Sequence, residues 1–197
     1  PHSERPEIDR WILSRLNTLI CDVDQAYEAL EPTRAGRLIQ QLAIDELSNW
    51  HVRLSRRRFW KGDISPDKIS AYQTLIVCLE TVARLGSPIA PFYLDRLYCD
   101  VIGTDDSVHL ADFPVADSVL IDSDLEARMA LAQQLSSQVL SLRKRERIRV
   151  RQPLSRILVP ALSDKDAQRI VAVCDLVKSE VNVKDVEILR GDVTSPQ

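Results

Sequence analysis

The sequence predicts a mainly α fold, an antiparallel helical bundle followed by a small α+β appendage. Three observations support this. Apolar residues recur in steps of three and four through most of the chain, which is the period of an α-helix. Only five glycines occur in 197 residues, which argues against a β-rich or glycine-loop architecture. At Ile148 the helical period gives way to alternation, so we predict a bundle over residues 1–147 and an α+β subdomain over 148–197.

The first two helices are predicted from continuous apolar stripes. The first runs from about Pro6, a favourable first-turn residue, to about Leu30. A break at residues 31–33 separates it from a second helix that extends to about Trp60. The second stripe consists of Ile39, Ala43, Leu47, Trp50 and Leu54. Each helix therefore has one face to bury against a neighbour.

Proline and glycine mark the boundaries of the next helices. Ser65 and Pro66 favour the start of a third helix, as an N-cap and a first-turn proline. Gly86-Ser87-Pro88 ends that helix, and a fourth is predicted from about Pro88 to Ile102. Short connections between long amphipathic helices favour antiparallel packing. Residues 104–122 are predicted as a loop containing a short extended piece at 108–110.

The C-terminal third predicts one more long helix and then a β-α-β-like unit. The fifth helix is expected from Ser123 to about residue 146. Over 147–151 arginines alternate with Ile148 and Val150, which favours an extended segment with the arginines on one side. Residues 157–159 favour a strand, 163–179 a sixth helix and 181–189 a closing strand.

Positive charge is concentrated in two short segments, although the net charge of the chain is −3. The first arginine cluster, within residues 53–61, contains Arg53, Arg56, Arg57, Arg58 and Lys61, with Trp60 beside them. The second arginine cluster, residues 143–151, contains Arg143, Lys144, Arg145, Arg147, Arg149 and Arg151. Together the clusters hold 11 of the 26 Lys and Arg residues. Such asymmetry is typical of a protein that orients a polyanion.

The first arginine cluster combines the residue types that bind single-stranded RNA. Arginine can donate two hydrogen bonds to a phosphate, and an indole can stack on a base. We therefore predict that both clusters contact RNA. The competing interpretation is that the arginines are solvated or paired with carboxylates and that the aromatic residues are core. Trp50 lies on the apolar stripe, so we assign it to the core.

No pattern in the sequence indicates a catalytic or metal site. The glycines are isolated, so no phosphate-binding glycine loop is present. The four cysteines form no C-x-x-C pair, and the three histidines are scattered, so we expect free thiols and no metal or cofactor in this chain. No apolar run approaches the ~20 residues of a membrane span. We accordingly expect a cytoplasmic protein that has no membrane partner.

Several segments, taken in order, resemble the isoleucyl-tRNA synthetases, a family of class I aminoacyl-tRNA synthetases. Residues 9–20 (DRWILSRLNTLI) resemble the opening of their anticodon-binding domain. Residues 48–62, 71–85, 87–92 and 108–114 resemble its later parts, with SRRRFWKG typical of the isoleucine enzymes. Residues 143–160 and 181–189 resemble the start of the C-terminal junction of the eukaryote-like long branch. The resemblance covers nearly the whole chain.

The resemblance implies a monomeric module that holds the anticodon stem-loop of isoleucine tRNA, tRNA(Ile). Full-length members attach isoleucine to tRNA with ATP and magnesium, with zinc as a further candidate. Their His-Ile-Gly-His and Lys-Met-Ser-Lys-Ser motifs have no match here, so we expect a catalytically inactive fragment that partners the missing catalytic core. A valyl- or leucyl-type domain, and a non-enzymatic helical scaffold that binds protein, remain alternatives.

The sequence departs from the family pattern at two places. His51 replaces an expected aromatic residue, usually tyrosine, which leaves open whether this position stacks on RNA. Gly86-Ser87 replaces an expected methionine-alanine, which predicts looser packing between the third and fourth helices.

Overall fold

The computed structural model describes residues 2–60, 62–161 and 163–190, with only the backbone described at residue 190. These residues confirm the predicted mainly α fold with a small α+β part. The chain divides into two compact units, Pro1–Asp122 and Ser123–Gln197. None of the helices in the described part of the chain combines the length and the apolar character that a membrane span requires.

Unit 1 is a helical bundle. The α-helices are α1 (Glu7–Glu28), α2 (Pro32–Gln41), α3 (Arg56–Trp60), α4 (Pro66–Gly86) and α5 (Pro91–Ile102), and a π-helical segment, Leu42–Val52, connects α2 to α3. Short 3₁₀ turns lie at His2–Glu4, Val108–Leu110 and Ser118–Leu120. Helix α1 packs against α2, the π-helical segment and α4, while α4 also packs against α5. The core of unit 1 is therefore centred on α1 and α4.

The π-helical segment changes which residues of the predicted second helix are buried. Its backbone bonds span five residues, so residues five apart share a face. Accordingly Leu42 and Leu47 are both buried, as are the pairs Glu46 with His51 and Trp50 with Ser55. Ala43 and Leu54, which an α-helical period places on the stripe, are only half-buried. The assignment of Trp50 to the core is confirmed.

Two local expectations in unit 1 are wrong. Residues 108–110 form a 3₁₀ turn rather than an extended piece, because Asp95 Oδ1 accepts hydrogen bonds from Ser107 Oγ and Val108 N–H at 2.7 and 2.8 Å. Packing at Gly86 is tight rather than loose. A Cβ at this position would lie 2.5 Å from Leu94 Cδ1 on α5. Glycine therefore permits a close approach of α4 and α5.

Unit 2 consists of α6 (Ser123–Arg145), β1 (Leu154–Ala161), α7 (Asp164–Val181) and β2 (Val183–Arg190). The two strands pair in parallel, from Leu154 opposite Val183 to Ala161 opposite Arg190. Parallel neighbours require a crossover, which α7 provides. Its buried residues include Ala167 and Ile170, which cluster with Val159.

The division between units differs from the predicted boundary at 147/148. Helix α6 belongs to unit 2, because Leu131 and Leu135 pack on the cluster formed by β1 and α7. The predicted extended segment at 147–151 is wrong. These residues form turns, and Arg147 adopts a φ of 57°. The first strand begins only at Leu154, beyond Pro153.

Candidate nucleic-acid interface

The first arginine cluster lies at the end of the π-helical segment and on α3. Arg53 is exposed, but its Nε donates to the carbonyl of Asn49 at 2.7 Å, and its guanidinium lies 5.8 Å from the centroid of the Trp50 ring. Arg53 is therefore held against its own helix. It can still offer a charge to solvent, but part of its hydrogen-bonding capacity is already used.

Three side chains on α3 face solvent. Arg56 and Arg57 are exposed, and neither forms a hydrogen bond or an ion pair with another described residue. Trp60 is 80% exposed. Tryptophan side chains are on average largely buried, so an exposed one is unusual. Its flat ring is available for stacking. Lys61, the remaining member of this cluster, lies outside the described residues.

Arg58 turns inward and joins a network of polar side chains at the start of the bundle. Its two terminal nitrogens donate to the two carboxylate oxygens of Asp9, each at 2.8 Å. Asp9 also lies 3.0 Å from Nε2 of His51 and accepts from Ser70 Oγ at 3.0 Å. Exposed Asp67 contacts the same guanidinium at 2.9 Å. The network therefore joins α1, the π-helical segment, α3 and α4.

The electrostatics of this network favour a charged pair. Burial alone would raise the pKa of the Asp9 carboxyl, but hydrogen bonds from Arg58 and His51 more than offset burial and hold that pKa well below its usual range. The hydrogen bonds with Asp9 likewise raise the pKa of Arg58 above its ordinary value. Both terminal nitrogens of the Arg58 guanidinium are occupied by Asp9, so we assign Arg58 a structural role rather than an RNA contact.

His51 belongs to the same network and is fully buried. Because its Nε2 faces a carboxylate oxygen at 3.0 Å, this nitrogen carries the proton that it donates. The side chain is thus unavailable for stacking on RNA. Asp9 was not predicted from the sequence as a site residue, and the network was missed. The available signal was that Asp9 lies three residues before Ile12 and seven before Leu16, on the buried stripe.

The second arginine cluster begins in the last turn of α6, and its first member also turns inward. Arg143 is 2% exposed. One terminal nitrogen donates to the carbonyls of Arg149 and Gln152 at 3.1 and 3.0 Å, and the other donates to the carbonyl of Asn182 at 2.9 Å. Arg143 therefore supports the chain that follows α6 and is not a surface contact.

The other members of the second arginine cluster are exposed. Arg145 pairs with the adjacent Glu146 at 3.0 Å. No ion pair between described residues engages the remaining four, which are Lys144, Arg147, Arg149 and Arg151. Lys144 lies in the last turn of α6 and the three arginines follow it, so these charges are near the negative end of the helix dipole, a favourable position for cations. They remain predicted RNA contacts.

The described residues contain no group of three or more His, Cys, Asp or Glu side chains placed to hold a metal ion. The four cysteines are free thiols. Burial raises the pKa of the Cys78 thiol to about 12, so this sulfur stays protonated at neutral pH.

Comparison with known proteins adds a family to this geometry. Residues 9–158 match the model of the anticodon-binding domain of tRNA ligases. The chain is 55% identical over 195 residues to an isoleucine--tRNA ligase of Cytophaga hutchinsonii, covering 96% of this chain and 18% of the relative. It is 36% identical over 195 residues to the enzyme named isoleucine--tRNA ligase of Thermus thermophilus, covering 96% of this chain and 19% of that relative.

A third relative, the isoleucine--tRNA ligase of Bacteroides thetaiotaomicron, is 55% identical over 196 residues, which is 97% of this chain and 17% of the relative. The chain thus spans about a fifth of the length of these relatives. The family match covers well over half of the chain and includes both arginine clusters, all of α6 and most of β1. This chain belongs to the family of anticodon-binding domains of tRNA ligases.

Proposed function

We propose that this chain is the module with which an isoleucine--tRNA ligase holds the anticodon stem-loop of isoleucine tRNA. The observation that carries the proposal is the open surface of α3, where Trp60 is 80% exposed beside exposed Arg56 and Arg57. Guanidinium groups bind phosphates, and an exposed indole stacks on an unpaired base. The names of the relatives favour isoleucine tRNA over the valine or leucine alternatives.

The test is binding of an isoleucine tRNA transcript to the 197-residue chain, titrated against salt. A double variant, Arg56→Ala with Arg57→Ala, should lower affinity and flatten the slope of log affinity against log salt by up to about 1.4 units. Arg58 is left intact because its loss would disturb Asp9. The Trp60→Ala variant should weaken binding by about 1–3 kcal/mol with little change in slope, since stacking is not ionic.

Two comparisons complete the design. An isoleucine tRNA whose anticodon is replaced by that of valine tRNA should bind less tightly than the native transcript. An anticodon stem-loop alone should retain the effects of both variants. Absence of RNA binding by the folded wild-type chain at low salt would overturn the proposal. The helical-scaffold alternative would then be the better account.

We further propose that the chain alone is a monomer that catalyses no amino-acid activation. ATP with magnesium, and zinc if the enzyme uses it, would act in the catalytic core outside this chain. The absence of a phosphate-binding glycine loop from the sequence supports this. Isoleucine-dependent ATP–pyrophosphate exchange by the purified chain would contradict it, as would a dimer in sedimentation.

A further inference from the structure

The side chains of Arg143 and Asn182 hold the turns between α6 and β1 by hydrogen bonds to backbone carbonyls. Arg143 donates to the carbonyls of Arg149 and Gln152, and to that of Asn182. Asn182 in turn donates from Nδ2 to the carbonyl of Val150 at 2.9 Å. Three carbonyls of the segment are thus turned inward. The exposed side chains of Arg147, Arg149 and Arg151 project from a backbone that is tied at several points.

We propose that residues 147–151 form a preorganised loop that binds the phosphodiester backbone of RNA, with Arg143 and Asn182 as its positioning residues. This proposal rests on the proposed function, that the chain binds tRNA. It adds which segment of unit 2 takes the RNA and what holds that segment in place. Guanidinium groups are suited to phosphate oxygens because each can donate two parallel hydrogen bonds.

The charge beneath the loop supports an anionic ligand. The partners of the Arg143 guanidinium are neutral carbonyls, and no carboxylate among the described residues forms an ion pair with it. Its positive charge is therefore not cancelled within unit 2. The charge of Arg143 is buried, so it is screened less than a charge in water. It adds to the positive electrostatic potential produced by the exposed arginines of the loop.

The end of α6 carries a further indication. Arg147 N–H donates to the Lys144 carbonyl at 3.2 Å, and Ile148 N–H donates to the Arg143 carbonyl at 2.8 Å. This is the Schellman arrangement, which places Arg147 in the left-handed region where glycine is preferred. The helices α5 and α7 end instead on Gly103 and Asn182, the residue types that tolerate this conformation.

Backbone strain alone does not identify a site. Helix α1 ends in the same arrangement with Leu30 at a φ of 58°, and Leu30 is not part of either cluster. Arg147 differs from Leu30 in its charge. It also lies beside the exposed guanidinium groups of Arg149 and Arg151, on a segment whose carbonyls are held by hydrogen bonds. Leu30 therefore provides a matched control for the effect of conformation without the effect of charge.

The experiment measures binding of an isoleucine tRNA transcript to the full chain over a range of salt. A triple variant, Arg147→Gly with Arg149→Ala and Arg151→Ala, should lose at least about tenfold in affinity, and its salt slope should flatten by up to about two units. Leu30→Gly should leave affinity and slope unchanged. Far-UV circular dichroism checks that each variant is folded.

The positioning role is tested with Asn182→Gly, which keeps the left-handed conformation and removes only the donor to Val150. Affinity should fall severalfold, because the loop loses one of the hydrogen bonds that hold it. The salt slope should stay at the wild-type value, because all cations remain. Arg143→Met should lower affinity as well, and Arg143→Lys should restore part of it. A purely structural role for these residues would leave the affinity of the folded Asn182→Gly chain unchanged.

The outcomes separate the two proposals. If the wild-type chain binds the transcript but the triple variant keeps its affinity and slope, the loop proposal is overturned while the proposed function stands. If Asn182→Gly alone is without effect, the assignment of positioning residues is overturned. If the folded wild-type chain does not bind RNA at low salt, the proposed function fails and the loop proposal fails with it.

Discussion

Each arginine cluster contains one arginine that turns inward, but the two have different hydrogen-bond partners. Arg58 faces carboxylates, those of buried Asp9 and exposed Asp67. Arg143 faces only backbone carbonyls. The first arrangement cancels a charge and joins four helical segments, whereas the second keeps a charge and organises a loop. A cluster of arginines in sequence is therefore not a uniform surface, and the partner of each guanidinium decides its role.

The largest effect should follow from removing the charge of Asp9. Asp9→Asn keeps the volume of the side chain but leaves Arg58 without its buried partner, and breaking such a pair costs about 3–5 kcal/mol. The free energy of unfolding of unit 1 should fall by about that amount. All three tryptophans lie in residues 1–122, so tryptophan fluorescence during urea unfolding reports unit 1.

Asp67→Asn is the matched control for that variant. It also removes a carboxylate from Arg58, but its side chain is 52% exposed. Exposed pairs are screened by solvent and contribute about 1 kcal/mol or less. Equal losses for the two variants would contradict the view that the buried Asp9 is the main partner of Arg58.

Acid should weaken the pair between Asp9 and Arg58 in unit 1 and leave the hydrogen bonds of Arg143 in unit 2 intact. The pKa of Asp9 is depressed in the folded chain, so this carboxylate stabilises unit 1 fully above the unfolded pKa of about 4. That stability is lost as pH falls through the lower folded pKa. The hydrogen bonds of Arg143 involve no group that titrates there. Urea unfolding from pH 7 to pH 2 in wild type and Asp9→Asn tests this, because the variant should lose less stability than wild type.

The next effect in size concerns Arg143. Arg143→Met should lower the free energy of unfolding of unit 2 by about 2–3 kcal/mol, because three partly buried hydrogen bonds from a charged donor are lost. Lys144→Met, an exposed neighbour, should change it by about 0.5 kcal/mol or less. Residues 123–197 contain no aromatic side chain, so hydrogen exchange of α7 amides is the suitable measurement. Similar protection in both variants would contradict a supporting role for Arg143.

The comparison also shows what sequence reasoning can and cannot predict here. The existence of the helices and of the small β-α-β unit follows from periodicity and from the positions of proline and glycine, whereas the exposure of Trp60 was left open by the sequence. The inward turn of Arg58 could not be predicted in this way, because its partner Asp9 is 49 residues away. Long-range polar pairing leaves no period in the sequence.

Two further differences have local causes that a helical period does not contain. The π-helical segment shifts the buried face of residues 42–52, which brings His51 into the core. The turns at 147–152 replace the predicted extended piece because Arg143 and Asn182 tie its carbonyls inward. In both places the alternating or helical pattern was present, but hydrogen bonds decided the backbone.

The smallest effect on stability should have the opposite sign and separates the roles of charge and conformation. A left-handed conformation costs an L-residue about 1–2 kcal/mol, while glycine loses about 0.5–1 kcal/mol more conformational freedom on folding. Arg147→Gly should therefore raise the free energy of unfolding of unit 2 by up to about 1 kcal/mol. Leu30→Gly should do the same for unit 1, because Leu30 is 87% exposed and little packing is lost.

Only Arg147→Gly should weaken binding of the tRNA transcript. Hydrogen exchange for unit 2, urea unfolding for unit 1 and a binding titration measure the three quantities. A more stable Arg147→Gly chain with wild-type affinity would show that this arginine is not an RNA contact, and a less stable one would show that its side chain supports the fold of unit 2.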